Sequence, residues 1–200
     1  VHHNRTKHVH CCEWNPDSLV ALRFNLEENG VDPSRYSVHA GDNRITMGFS
    51  VPSDASDIVG GSGVGSSAPL ESRRGAQSTH PSDNTHAVVK TARSSLRGIA
   101  DRVNLGLIPS SEEGWPLAVA ALRSKGGWVH VHDNVKDCDI IAWAEALCSA
   151  FEALGEAEWG SIASWGGWAV QCIHIERVKS YAPHVLHVVA DLWIQEKEKL

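Results

Sequence analysis

Short alternating runs and longer stretches with helical spacing follow one another along this chain, with one long interruption. His8 to Trp14 alternates over a few residues and predicts a strand. Asn15-Pro16 comes next. Asn is a good helix N-cap, and Pro suits the first helical position, where its missing N–H would be unpaired anyway. Leu19, Leu22 and Leu26, with Val20 and Phe24 nearby, give a helical apolar stripe. Gly30 stands where a left-handed C-terminal cap is expected. Tyr36 to Ala40 predicts a second strand, ended by Gly41-Asp42-Asn43. From about residue 45 to residue 98 the texture changes: Ser, Gly, Asp and His dominate, and apolar residues are too sparse to build a core. This stretch reads as a long disordered insertion in a loop.

Order returns at Ile99. Val103 to Ile108 predicts a strand that runs into a Pro109-Ser110 turn. Ser110 or Ser111 then caps a helix with Pro116 early in it and Leu117, Val119, Ala120 and Leu122 at its apolar positions. Gly126-Gly127 ends that helix, and Trp128 to His132 predicts the next strand. Asp137 to Leu154 reads as a helix, with Ile140, Ala144, Leu147 and Phe151 spaced for one face. Two strands close the chain, Trp168 to Val178 and His184 to Trp193. The turn between them, Ser180-Tyr181-Ala182-Pro183, is too short for a crossover helix, so they are antiparallel. The order β-α-β-(insertion)-β-α-β-α-β-β implies an α/β fold: a mostly parallel sheet covered on both faces, with a terminal antiparallel hairpin.

Two hundred residues suffice for one globular domain with a real core. No run approaches the roughly 20 apolar residues that span a bilayer, and no basic-then-apolar leader opens the chain. A first residue of Val1 rather than Met suggests a fragment, or a gene model that lost its beginning. Five cysteines, an odd number without a C-x-x-C pair, argue against a disulfide framework or zinc knuckle and fit a reducing cytoplasmic setting. The net charge of −6 argues against a chain that coats nucleic acid through bulk electrostatics, though not against a local basic surface. The mild basic excess of Arg73, Arg74, Lys90, Arg93 and Arg97 is read as a solvated tail or as a brush against RNA.

In open α/β sheets ligands sit at the carboxyl ends of strands, and catalytic groups collect on the loops there. Glu13 ends the first strand. An acidic residue there either accepts hydrogen bonds from the two hydroxyls of a cofactor ribose or is a solvent-facing Glu ahead of a helix. Asp42 and Asn43 close the second strand. They either bind an adenine amino group and ring nitrogen or form an ordinary Gly-Asp-Asn turn. Gly60 to Gly65 imitates a phosphate-binding loop, but no convincing helix follows it, and a flexible linker is the reading its context supports. His130 and His132 share one strand face and, with Asp133, resemble half of a metal site. No third ligand is fixed by spacing, so a polar strand end beside a substrate cleft is preferred to a metal. Trp159, Trp165 and Trp168 either pack a long connection or stack on bases.

Several segments in order carry a resemblance: Cys12-Glu13-Trp14-Asn15-Pro16, Gly41-Asp42-Asn43-Arg44, Ala100-Asp101-Arg102-Val103, Leu105-Gly106-Leu107-Ile108-Pro109-Ser110-Ser111-Glu112-Glu113-Gly114-Trp115, His130-Val131-His132-Asp133-Asn134, and Val178-Lys179-Ser180-Tyr181-Ala182-Pro183-His184. Together they resemble the tRNA wybutosine-synthesising aminocarboxypropyl transferase family, relatives of the tRNA guanine-37 N1-methyltransferases. The resemblance covers the chain except its insertion. It implies a Rossmann-like S-adenosylmethionine-dependent methyltransferase fold and a cytoplasmic enzyme. That enzyme would move the 3-amino-3-carboxypropyl group of S-adenosyl-L-methionine onto a modified guanosine at position 37, in the anticodon loop of phenylalanine tRNA, with no metal and no membrane. By position, Glu13 would hold the ribose, Asp42 and Asn43 the adenine, and the turn ending in Pro109 would face the sulfonium and the target base. The methylating relatives carry an amide where this chain has Leu107, which favours aminocarboxypropyl over methyl transfer. No catalytic base is assigned, and positioning would supply most of the catalysis. The fold's first strand and its glycine loop are missing. That strand belongs between those at His8–Trp14 and Val103–Ile108, so its loss would leave two unpaired edges. The competing functions are a tRNA guanine-37 N1-methyltransferase and an inactive fragment or RNA-binding module.

Overall fold

Residues 6–49, 96–162 and 165–197 are described by a computed structural model of the chain. Strand β1 (Val9–Glu13) leads into helix α1 (Pro16–Glu28). The Asn15 side chain accepts from the backbone N–H of Asp17 and Ser18, as the Asn-Pro pair predicts. Leu19, Leu22 and Leu26 are half-buried, whereas Val20 and Phe24 lie exposed on the flank of that stripe. Gly30, at φ +58°, ends the helix. Its N–H donates to Glu27 and that of Val31 to Leu26, the paired bonds of a Schellman cap. Strand β2 (Tyr36–Ala40) then pairs with β1 in parallel, Val9 opposite Tyr36 and Glu13 opposite Ala40.

Residues at both ends of the expected insertion are structured. Asn43–Thr46 forms a short helix, α2, and Met47 beyond it is buried with Leu96 and Ala120. These two apolar residues, 49 positions apart in sequence, meet in space, and sparse composition around them hid that contact. The glycine run from Gly60 to Gly65 and the basic residues Arg73, Arg74, Lys90 and Arg93 lie outside the described residues.

The rest follows the predicted order with shifted ends. Strand β3 (Arg102–Leu105) stops before Gly106 rather than at Ile108. A 3-10 turn (Glu112–Gly114) precedes helix α3 (Trp115–Ala121). Strand β4 (Gly126–Lys136) begins at the two glycines and runs past His132. Helix α4 spans Ile140–Trp159, so Asp137 lies ahead of it and the helix outruns Leu154. Strands β5 (Trp168–Ala182) and β6 (Val185–Glu196) form the antiparallel hairpin.

Among the described residues the strands make two sheets, not one: β1-β2, and β3-β4-β6-β5. The pairs β1·β2 and β3·β4 are parallel, and β4·β6 and β6·β5 antiparallel. Among the described residues β1, β2, β3 and β5 therefore each have one neighbour. The main core lies between the larger sheet and helices α3 and α4. Ala144, Leu147 and Phe151 of α4 are buried, as their spacing predicts, against sheet residues that include Val129, Val131, Leu192 and Ile194. Gly155 continues that face: a Cβ there would meet the Trp168 ring at 2.5 Å, so only glycine lets the indole lie against the helix. The opposite face of β4 and β6 carries polar and aromatic side chains, Trp128, His130, His132, Asp191 and Trp193, so among the described residues one face of this sheet rather than both is packed by an apolar helix layer.

Candidate active site

The carboxyl ends of β1 and β2 lie side by side, and the Gly41 N–H donates to the Glu13 carbonyl at 2.9 Å. Glu13 is half-buried. Its Oε1 accepts from the Asn15 backbone N–H at 2.8 Å, which fixes the side chain at the start of α1 and leaves Oε2 without a partner among the described residues. Asp42 caps α2: its Oδ1 accepts from the Arg44 N–H at 2.8 Å, and its carboxylate takes the Arg44 guanidinium at 2.7 Å. That guanidinium holds the Asp42 carboxyl below the usual carboxylate range. Asn43 differs. Its Oδ1 is buried and has no hydrogen-bond partner among the described residues. A buried acceptor left unmade is costly, and an adenine amino group is a donor of the right kind to satisfy it. Among the described residues the unpartnered acceptors at these strand ends are Glu13 Oε2 and the buried Asn43 Oδ1, whereas the Asp42 carboxylate is taken by Arg44.

The loop after β3 forms the second part of the site. Leu107, Ile108, Pro109, Ser110, Glu112 and Glu113 line a cavity of ≈370 Å³. Leu107 and Ile108 are exposed at its mouth. Ser110 receives the Glu112 N–H at 3.3 Å, whereas Ser111 makes no capping bond; it is fully buried and accepts from the Trp115 indole N–H. Glu13, Asp42 and Asn43 are not among the residues that line this cavity. The two parts are linked by packing of Met47 against Ala120 and by charge: Glu113 lies near enough to add to the effect of Asp42 in raising the Arg44 pKa.

His130 and His132 share one face, as alternation requires, and each joins a hydrogen-bonded chain. Arg102 donates to His130 Nε2 at 3.0 Å, and His130 Nδ1 donates to Asp191 at 2.6 Å. His187 Nδ1 donates to Asn134 Oδ1 at 3.1 Å, so its Nε2 is left to accept from His132 Nδ1 at 3.3 Å. No group of three or more His, Cys, Asp or Glu is arranged to hold a metal among the described residues. Burial, then His187 and His130, lower the His132 pKa below its ordinary value. The unfolded chain takes up this proton more readily, so stability present at neutral pH is lost as the pH falls through the ordinary imidazole range towards the depressed value. The melting temperature is expected to drop as pH is lowered from about 7.5 to about 5.5, and to drop less in His132→Gln. An equally steep drop in both proteins contradicts this assignment.

The tryptophans pack. Trp168 is fully buried, and its indole N–H and that of Trp165 both donate to the Ser124 carbonyl. Trp159 Nε1 is buried too. Trp159 and Trp165 are half-buried and pack against the main core. Two parts of the site escaped the sequence reading, Arg44 as the partner of Asp42 and Asp133 as a buried carboxylate against the Ser110 loop. The Gly-Asp-Asn-Arg run carried a signal for the first, since Arg two residues after a helix-capping Asp can fold back on it.

Two parallel strand pairs linked through helices, with a closing antiparallel hairpin, make an α/β fold of the Rossmann-like kind found in S-adenosylmethionine-dependent methyltransferases. The M. jannaschii TYW2 structure in complex with AdoMet shares this fold: the TM-score is 0.58 at 18% identity, over 96% of this chain and 59% of that one. By sequence the chain is similar to proteins named tRNA wybutosine-synthesizing protein 2. It is 38% identical over 188 residues to tRNA wybutosine-synthesizing protein 2/3/4 of Arabidopsis thaliana, covering 94% of this chain and 13% of that protein. It is 34% identical over 224 residues to the tRNA wybutosine-synthesizing protein 2 homolog of Danio rerio, covering 95% and 41%. The chain therefore spans less than half the length of these curated relatives. No family model matches it. No helix among the described residues is long and apolar enough to cross a membrane.

Proposed function

We propose that this chain forms part of the catalytic domain of an enzyme that transfers the 3-amino-3-carboxypropyl group of S-adenosyl-L-methionine to a modified guanosine at position 37 of phenylalanine tRNA, in wybutosine biosynthesis in the cytoplasm. The observation that carries the reading is the buried Asn43 Oδ1, unpartnered among the described residues, three residues beyond the end of the strand that lies parallel to β1 with Ala40 opposite Glu13. Glu13 holds the ribose, Asn43 the adenine amino group, and Asp42 keeps α2 in place through Arg44. The donor supplies a sulfonium whose three attached carbons are all activated by one positive charge. The protein's task is to align one of them with the nucleophile, a matter of orientation more than of proton transfer. Pro109 and its apolar neighbours Leu107 and Ile108 shape the place where the reacting carbon sits. Mass analysis of tRNA treated with the chain in its native polypeptide context and S-adenosyl-L-methionine tests the proposal. Gain of an aminocarboxypropyl group is expected, with methylthioadenosine released. Gain of a methyl group instead makes the protein a tRNA guanine-37 N1-methyltransferase, and no gain makes it a binding module.

The single-neighbour strands β1 and β3 favour a further feature, a strand that pairs with both and carries the glycine loop of the methyltransferase fold. Without it, each edge leaves a row of backbone groups unpaired. Residues 1–200 in isolation are then expected to fold poorly and to bind S-adenosyl-L-methionine more weakly than micromolar. Micromolar affinity of the isolated chain by calorimetric titration contradicts this.

A further inference from the structure

Asp133 makes no ion pair with a side chain among the described residues. It is 8% exposed and lies on the face of β4 that also carries Val129, Val131 and Val135. Such a group needs hydrogen-bond donors, and it finds one on the loop that lines the cavity after β3 and one on its own strand. Ser110 Oγ donates to Asp133 Oδ2 at 3.3 Å, and Ser110 pairs with Asp133 as an isolated antiparallel bridge. The Asn134 N–H is shared between Asp133 Oδ1, at 2.8 Å, and the Pro109 carbonyl, at 3.0 Å. On its other side Ser110 Oγ accepts from the Glu112 N–H. The residues from Pro109 to Glu112 are thereby tied to the carboxyl end of a core strand. Leu107 and Ile108, which precede the tied segment, are exposed at the mouth of the cavity.

We infer that Asp133 is a positioning residue that, through Ser110 and the Asn134 amide, fixes the Leu107–Pro109 turn and so selects which carbon of the donor meets the nucleophile. This rests on the transferase reading above. In the selected reaction the nucleophile's new bond forms to the methylene carbon of the aminocarboxypropyl arm. That carbon's bond to sulfur breaks with its electron pair staying on sulfur, methylthioadenosine leaves neutral, and the proton displaced from the nucleophile passes to water. If the turn drifts by about an ångström, the methyl carbon competes for the same nucleophile, since misplacement on that scale costs on the order of 100-fold in rate. The products are then a methylated nucleoside and S-adenosylhomocysteine.

The test uses the chain in its native polypeptide context, with Asp133→Ala, Ser110→Ala and the double variant, S-adenosyl-L-methionine and tRNA. Each single variant is expected to lower aminocarboxypropyl turnover at least about tenfold and to raise the ratio of S-adenosylhomocysteine to methylthioadenosine. Donor affinity by calorimetry should stay within about threefold of wild type, because Glu13 and Asn43 are untouched. The double variant should be no worse than Asp133→Ala, the signature of two groups acting through one contact. Unchanged turnover, a product ratio that does not move, donor binding lost in step with turnover, or additive effects each overturn the inference. Should Asp133→Ala not fold, Ser110→Ala alone decides by the same criteria. If wild type transfers neither group, the transferase reading fails and takes this inference with it. If wild type transfers the group and the variants match it, only the role of Asp133 fails.

Discussion

Replacing Glu13 by alanine is expected to weaken binding of S-adenosyl-L-methionine by about 10- to 100-fold in the native polypeptide context. The carboxylate sits at the end of β1 with one oxygen held by the Asn15 N–H and the other free. Hydrogen bonds to a charged acceptor contribute about 1.5–3 kcal/mol, and about 1.4 kcal/mol is tenfold in affinity. Asn43→Ala removes a neutral acceptor and is expected to cost less, within about tenfold. Glu13→Gln separates charge from shape, since the amide keeps an oxygen for Asn15 but presents an N–H₂ or a weaker acceptor to the ribose. Calorimetric titration checks all three. The melting temperature of Glu13→Ala needs to be recorded alongside, because the lost Asn15 bond also loosens the start of α1. Wild-type affinity in Glu13→Ala removes the ribose assignment.

Truncating Phe151 to alanine is expected to destabilise the fold by about 3–5 kcal/mol, the range for deletion of a buried aromatic ring. Phe151 is fully buried at the centre of α4, in the cluster shared by α3, α4 and the larger sheet. Its ring also lies 5.7 Å, centroid to centroid, from that of Trp115. Trp115 in turn donates to Ser111 in the loop that lines the cavity. The substitution therefore removes core packing and the backing of the candidate site together. Denaturant unfolding measures the first effect. A loss below about 1 kcal/mol would mean that the cluster can collapse around the void.

Elements with a strong local signal were legible in the sequence, and those set by distant contacts were not. Asn15-Pro16 and Gly30 bracket α1 because capping is decided within a few residues. Ile140, Ala144, Leu147 and Phe151 mark the buried face of α4 because the helix repeat alone places them together. The short hairpin turn fixed the antiparallel pairing of β5 and β6. By contrast, nothing local says that Met47 and Leu96 meet over Ala120, and the surrounding Ser- and Gly-rich composition pointed the other way. The lengths of β4 and β6 exceed their apolar cores because cross-strand pairing, from Gly126 with Gln195 to Lys136 with Val185, carries polar residues along. In the candidate site, Glu13 and Asn43 were singled out from their place at strand ends. The capture of Asp42 by Arg44 and the grip of Asp133 on Ser110 depend on side-chain geometry that spacing does not encode.

Backbone amide chemical shifts on addition of methylthioadenosine test most directly whether the strand ends and the Pro109 loop serve one nucleoside. With the chain in its native context, the amides of Glu13, Asn43, Leu107, Ile108 and Ser110 should move together and saturate along a single binding curve. Movement confined to the ends of β1 and β2, or to the loop after β3, would contradict a shared site and with it the transferase mechanism.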